Sequence, residues 1–390
     1  MKIVYGFTEY LGKFCGGAAK ASLYLAKESL INNNDVYILP FNDFSIVSLS
    51  TNKVVKPNYK IILDSFKYLF VVRSLLNDYN LKKLFLNYTI CFKTYLHVII
   101  LRNLLLSIKP DIVQIDGFRL NLILACKIAN VKFVAVSHGL SQSNEEEAAV
   151  NLLKKEKKYK IVAVSEKVRM ELIRQYSINP RNVTVINIGK SREYFQKCKN
   201  CSTKDIRIKY SIPDTTINII TVARLEEIKN LILSLEVLSI LPNNYYYIIV
   251  GCGSQRESIE NKIVSMNLSN KVRLMGFLNE ESIIELYKIC KIGLLNSLKE
   301  GMPAFLVECI INGIPIVSIN TLEGIEDIKK VCKNGIYLAS SYYKEQIAEQ
   351  ILDASNHYLD NHDYLIEKSD NFNLKYTIKE YMKVYQDIAF

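Results

Sequence analysis

The sequence predicts an α/β fold in two domains, each built on an open, mostly parallel sheet. Three observations carry this expectation. The chain has 390 residues, enough for two separate cores. Short apolar runs bounded by turn residues alternate with helical periodicity, first over residues 2–195 and again over 217–338. The stretch Lys197–Lys204 between the two series is polar and turn-like. The expected division is therefore a first domain over 1–196, a second over 205–370, and a terminal helix over 371–390.

Composition narrows the class. Hydrophobic residues make up 49% and charged residues 23%, values of a globular chain rather than a disordered one. MKIVYGFTEY reads as a strand and a polar turn, not as a secretory leader. The longest uncharged run, Val237–Gln255, is broken by Pro242-Asn243-Asn244 and Gly251, so no membrane span is expected. The 9 cysteines are expected to be reduced and mostly buried. Cys198 and Cys201 form one C-x-x-C with no second pair or nearby histidine, which speaks against zinc. A cytoplasmic protein is expected.

The net charge is +11, and it is unevenly spread. Lys60, Lys67, Arg73, Lys82, Lys83, Lys93, Arg102 and Lys109 face only Asp64 and Asp78 within residues 59–109. No nucleic-acid motif or Gly-Arg tract accompanies them, so no nucleic-acid partner is expected. The same segment is rich in Leu, Ile, Phe and Tyr, which fits an anionic membrane surface. A set of core helices with solvated basic faces fits it as well.

The first series opens with the strand KIVYGF (2–7), a helix over Gly16–Leu30 and the strand DVYILPF (35–41). Gly16 and Gly17 at the helix start permit close backbone approach, and a helix start favours phosphate. The pattern is not G-x-G-x-x-G, which weakens a nicotinamide-cofactor reading. Residues 59–109 are mostly helical by pattern. DIVQIDG (111–117) is a strand, a helix follows near 119–129, and VKFVAVSHG (131–139) is the next strand. It places His138 at a strand's carboxyl end, where open α/β sheets bind ligands. IVAVSEKVRMELI (161–173) runs from strand into helix, with Ser165 as N-cap.

The second series begins with INIITVARL (217–225). Arg224 and Lys229 then place two cations five residues apart beyond a strand end, suited to clamping a diphosphate. YYYIIVGCGSQRESIE (245–260) reads as strand, glycine turn and helix, with Gly251 and Gly253 allowing tight backbone approach. VRLMGFLNEESIIELYKIC (272–290) is strand and helix, with Asn279 as cap. The stretch Ser297–Ser318, SLKEGMPAFLVECIINGIPIVS, organises the rest. Pro303 suits the first helical position, Phe305, Leu306, Cys309 and Ile310 have helical spacing, and Gly313 ends the helix. The N–H groups of Ala304, Phe305 and Leu306 then form an anion site at a helix N-terminus. Glu300 and Glu308 flank it with the spacing E-x7-E. Carboxylates there are suited to sugar hydroxyls rather than to the anion itself, and an anion flanked by sugars describes a nucleotide-diphosphate sugar.

EGMPAFLVECIINGIPIVS resembles the E-x7-E signature of retaining glycosyltransferases of family four. Further stretches resemble that family in order. They are the V-S-E at 164–166, INIGKSREYF at 186–195, ARLEEIKNL at 223–231, VGCGSQR at 250–256, VRLMGF at 272–277 and the segment 321–338 with Gly324 and Glu326. Two departures stand out: Ile188 and Ser191 replace an Asn and an Asp, and His138 is followed by Gly139 where Asp is more usual.

The resemblance implies a GT-B fold, with two Rossmann-like domains facing across a cleft and a final helix crossing back to the first. It implies an acceptor-binding first domain and a nucleotide-sugar-binding second one. Catalytic roles fall to Glu300, Arg224, Lys229 and His138. Donor contacts fall to Glu308, Gly301, Met302, Pro303, Ala304, Phe305, Leu306, Gly251, Gly253, Gly276, Phe277, Gly16 and Gly17. No metal and no cofactor beyond the co-substrate is implied, and attack would come on the face the nucleotide leaves. The expected donor is a UDP-sugar carrying a hexosyl group. The expected acceptor is a glycan or lipid-linked hydroxyl in bacterial surface-polysaccharide synthesis, at or near the inner face of the cell membrane. Two alternatives stay open: a sugar-nucleotide epimerase of the same architecture, and a non-catalytic nucleotide-sugar binding protein.

Overall fold

The computed structural model describes residues 1–7, 17–39, 46–56, 88–140, 143–155, 159–201, 205–320 and 324–390, with backbone alone for 17–19 and 88–95. The chain divides into two units, Met1–Ile188 with Leu374–Phe390, and Gly189–Asn373. Gly16 and most of the basic segment lie outside the described residues.

The first unit holds β1 (Lys2–Gly6), β2 (Asp35–Leu39), β3 (Ile46–Ser48), β4 (Val54–Val55), β5 (Ile112–Asp116), β6 (Phe133–Ser137), β7 (Lys160–Ala163) and β8 (Val183–Val185). Their order is β4-β3-β2-β1-β5-β6-β7-β8. Strands β1, β2 and β5 to β8 are parallel, and β3 and β4 extend one edge antiparallel. Every residue of β5 and β6 is buried, which is why both read as near-continuous apolar runs. The helix Tyr88–Ile108 lies within the segment expected to be helical.

The last helix, Leu374–Ala389, belongs to this unit. It buries Leu374, Ile378, Tyr381, Tyr385 and Ile388, spaced by four, three, four and three residues. Tyr376 is exposed, because two residues from Ile378 is the opposite side of a helix. The Tyr385 hydroxyl donates to Gln114 on β5, and Lys160 pairs with Asp387 at 3.3 Å.

The second unit contains β9 (Ile217–Val222), β10 (Tyr245–Val250), β11 (Val272–Gly276), β12 (Ile292–Leu295), β13 (Ile316–Ile319) and β14 (Ile336–Ala339). The order is β11-β10-β9-β12-β13-β14, all parallel. Ile219, Leu235, Tyr247, Ile249, Ile292, Val317 and Ile351 are among the core residues that strands and helices share. The stretch read as turn-like from Lys197 begins inside a helix, Arg192–Asn200. Ser191 starts it, its hydroxyl accepting from the Tyr194 amide at 3.2 Å, and Tyr194 and Cys198 bury one face. The polar residues that suggested a turn occupy the other face.

Among the described residues no helix is long and apolar enough to cross a membrane. Cys126, Cys198, Cys290, Cys309 and Cys332 are buried free thiols.

Candidate functional site

In the second unit the chain leaves β9 in one direction toward β10, while β12 returns on the other side. The carboxyl ends of β9 and β12 therefore border a topological switch point, where open α/β sheets bind ligands. Two sequence-predicted groups meet there. The Lys229 ammonium, on a single turn at Glu227–Lys229, ion-pairs with Glu300, which follows β12. A backbone bond from the Leu298 amide to the Ile228 carbonyl, 2.8 Å, ties the two loops together. The Ser297 hydroxyl donates to the same Glu300 oxygen at 2.8 Å. Both side chains of the pair are mostly buried, 16% and 13% exposed. Arg224 is more open, 59% exposed, and pairs with Glu226 at 2.8 Å. The sequence placed Arg224 and Lys229 as equal cations; the structure gives Lys229 to a carboxylate and leaves Arg224 at the surface.

The helix after β12 spans Ala304–Ile311, with Pro303 as its N-cap rather than its first residue. One expectation is corrected here. The Leu306 amide is not open, because it donates to the Pro303 carbonyl at 3.1 Å. The amides of Ala304 and Phe305 have no acceptor within the helix. Gly301 and Met302 lead into this N-terminus, and Gly324 closes against them. With φ +77, its missing Cβ would lie 2.8 Å from the Met302 sulfur.

Glu308 lies on the second turn of that helix. One carboxylate oxygen ion-pairs with Lys190, and the other accepts from the Tyr287 hydroxyl at 2.7 Å. The Lys190 ammonium also sits over the Tyr194 ring, 4.8 Å from its centre. Burial, and next the charge of Glu308, push the Tyr194 and Tyr287 hydroxyls far above the usual phenol range. Both therefore remain neutral, and the Tyr287 hydroxyl keeps the proton it donates to Glu308. The segment 186–195 departs from the family at Ile188 and Ser191, and Lys190 lies between these positions.

The glycines beside β9 act through the backbone. At Gly251, φ is +143 and an added Cβ would fall 1.8 Å from the Ala223 carbonyl oxygen. At Gly253 it would fall 2.4 Å from the Leu225 carbonyl oxygen. Both residues thus bring the turn after β10 against the chain leaving β9, next to Arg224. Gly276 has φ +69 and faces Arg256, and Phe277 beside it is exposed. Asn279 caps the next helix, accepting from the Ser282 amide at 2.9 Å.

In the first unit, Gly17 begins the helix Gly17–Ile31. His138 follows β6, and its Nε2 lies 2.5 Å from an oxygen of Asp116, the last residue of β5. The Ser22 hydroxyl donates to that same oxygen at 3.0 Å. Asp116 is 1% exposed and its charge faces Arg119. Burial lowers the Arg119 guanidinium to about 10, with Asp116 the largest opposing influence. Sequence reasoning named His138 and missed Asp116; a charged residue closing the apolar run IVQI was the available signal.

Two family models match this chain. The model of glycosyl transferases group 1 covers residues 202–372, and that of glycosyltransferase family 4 covers residues 70–189. The chain belongs to this glycosyltransferase family and has the GT-B fold. It is 35% identical over 74 residues to 2-deoxystreptamine N-acetyl-D-glucosaminyltransferase from Niallia circulans, 19% of each chain. It is 28% identical over 122 residues to a GalNAc-alpha-(1->4)-GalNAc-alpha-(1->3)-diNAcBac-PP-undecaprenol alpha-1,4-N-acetyl-D-galactosaminyltransferase from Campylobacter jejuni, 30% of this chain and 33% of that one. The matches thus span a fifth to a third of these curated relatives. The crystal structure of Anabaena Alr3699/HepE in complex with UDP shares the fold, with TM-score 0.71, 14% identity, and coverage of 99% of this chain and 100% of that one.

Proposed function

We propose that this protein transfers a hexosyl group from a UDP-sugar to an acceptor hydroxyl, with retention, in the synthesis of a bacterial cell-surface polysaccharide or lipopolysaccharide. The observation that carries this reading is the Lys229–Glu300 pair at the β9/β12 switch point, one turn ahead of a helix that bears Glu308. UDP in the Anabaena relative supports the choice of nucleotide, and the undecaprenol-linked acceptor in the name of the Campylobacter relative supports the acceptor class.

The hard step is breakage of the bond between sugar C1 and the diphosphate oxygen, because negative charge grows on the leaving group. Arg224, Lys229 and the amides of Ala304 and Phe305 stabilise that charge. Glu300 accepts from hydroxyls of the transferred sugar, and Glu308 accepts from the ribose. Gly251 and Gly253 hold the turn after β10 against the chain leaving β9 so that its backbone borders the nucleotide, and Gly276 and Phe277 hold the base. The acceptor oxygen bonds to C1 on the face the diphosphate leaves, and its proton passes to the departing phosphate oxygen. His138 contacts the sugar, with Gly16 and Gly17 near the diphosphate or acceptor. The first unit binds the acceptor, and the basic segment 59–109 brings the protein to the anionic inner face of the membrane.

Incubation with labelled UDP-, GDP- and ADP-sugars tests this. Slow release of free sugar and nucleoside diphosphate supports transfer. An isomerised nucleotide sugar favours the epimerase, and binding without turnover favours a non-catalytic binder.

A further inference from the structure

We infer that Lys190 and Tyr287 are positioning residues that hold Glu308 as a preset, charge-compensated acceptor for a nucleotide ribose; this rests on the ribose reading of Glu308. Each oxygen of the carboxylate has one partner: Lys190 on one, and the Tyr287 hydroxyl at 2.7 Å on the other. A carboxylate has about four acceptor sites, so two remain for a vicinal diol. Two fixed donors remove the rotamer freedom that a lone glutamate would lose on binding.

Charge gives the second reason. A bare carboxylate close to a diphosphate repels it, and the Lys190 ammonium cancels that charge locally. Lys190 is itself fixed. It is 7% exposed, its amide donates to the Phe372 carbonyl at 2.8 Å, and it bridges to Asn373. The ring of Tyr194 lies beneath its ammonium at 4.8 Å. The residues 372–373 that hold its backbone adjoin the short turn Ser369–Phe372, which packs on the helix carrying Glu308. Lys190 therefore reaches Glu308 across 118 residues of sequence through main-chain placement.

The test compares calorimetric affinities for UDP and 2′-deoxy-UDP, which differ by one hydroxyl. A hydrogen bond to a charged group makes UDP about tenfold tighter in the native protein. Glu308→Ala brings the ratio to about one, which supports the underlying reading. Lys190→Met and Tyr287→Phe each narrow the ratio by about threefold or more, and Lys190→Arg restores it. Tyr287→Phe removes a single hydroxyl, so it keeps the test decisive should Lys190→Met fail to fold. A structural role alone lowers both affinities equally and leaves the ratio intact. If Glu308→Ala collapses the ratio while Tyr287→Phe preserves it, as does Lys190→Met where that variant folds, the positioning role is overturned and the ribose reading stands. If Glu308→Ala preserves the ratio, the ribose reading fails and the inference goes with it.

Discussion

Lys229 and Glu300, 71 residues apart, share a mostly buried ion pair where β9 and β12 end. Glu308 is paired in the same way with Lys190, so each glutamate of the E-x7-E spacing has its own lysine. Breaking a buried pair leaves one charge uncompensated, whereas removing both partners does not. Lys229→Met and Glu300→Gln should therefore each destabilise the protein, and the double variant should cost less than their sum. A coupling of about 1–3 kcal/mol is expected from thermal or denaturant unfolding. Additive effects would mean that the pair contributes nothing as a unit.

Arg224 should behave differently. It is largely exposed and its partner, Glu226, is a near neighbour, so Arg224→Ala should leave melting within about 0.5 kcal/mol of the native protein. Its proposed role against leaving-group charge predicts a turnover loss on the order of 10²-fold. A kinetic comparison with Arg224→Lys checks the mechanism, since a point charge replaces the planar fork only in part. Native turnover in Arg224→Ala would remove the residue from the site.

The Asp116–His138 contact makes a tautomer prediction. With Nε2 held against the Asp116 carboxylate, the neutral imidazole donates there and leaves Nδ1 as its unprotonated nitrogen. Asp116→Asn keeps the shape but offers an amide that can itself donate to Nε2, so the proton shifts to Nδ1 and the tautomer changes. If His138 contacts the reacting sugar, turnover should fall by about 10²-fold while UDP affinity, measured by calorimetry, stays unchanged. Nitrogen NMR of the labelled imidazole reads the tautomer directly.

How much of this was legible in the sequence differs between backbone and side chains. Strand and helix order could be read because KIVYGF, DIVQIDG, INIITV and YYYIIV are bounded apolar runs, and a fully buried parallel strand needs little else. The β3–β4 edge hairpin was not foreseen, since two- and three-residue strands carry too little periodicity. Gly251 and Gly253 were legible as close-approach positions, although the structure shows the approach to be to Ala223 and Leu225 of the same chain. Lys190, Tyr287, Ser297 and Asp116 were not singled out. Their importance depends on which residue lies opposite after folding, and a Lys or Tyr in isolation reads as surface or core.

A half-buried histidine sets a pH dependence of stability. His97, on the helix Tyr88–Ile108, has its pKa lowered from 6.5, first by burial and second by the Arg119 charge. The unfolded chain then binds the proton more readily than the folded one. Stability from this group is present in full above about pH 6.5 and is lost as pH falls through that value toward the lower folded pKa. Melting temperatures at neutral and mildly acidic pH should diverge less in His97→Gln than in the native protein. An equal divergence would assign the acid loss to other groups.

Gly251 offers the sharpest backbone test. Its φ of +143 is one that side-chain-bearing residues rarely adopt, and its Cβ would overlap the Ala223 carbonyl oxygen at 1.8 Å. That carbonyl belongs to the main chain leaving β9 and cannot rotate away as a side chain would. The Gly251 amide also donates to the Gly276 carbonyl at 2.8 Å, so a shift would break the pairing beside β11. Strain and overlap together predict a loss of about 3 kcal/mol or more for Gly251→Ala. Leu225 and Arg224 would move with the turn, so nucleotide affinity should fall as well. Gly335→Ala serves as the control: its φ is +78, but the nearest atoms its Cβ would meet belong to the Leu365 side chain, from 2.9 Å. It should cost stability without a matching loss of UDP binding, and equal binding losses in the two variants would show that the Gly251 effect is not local to the β9–β10 turn.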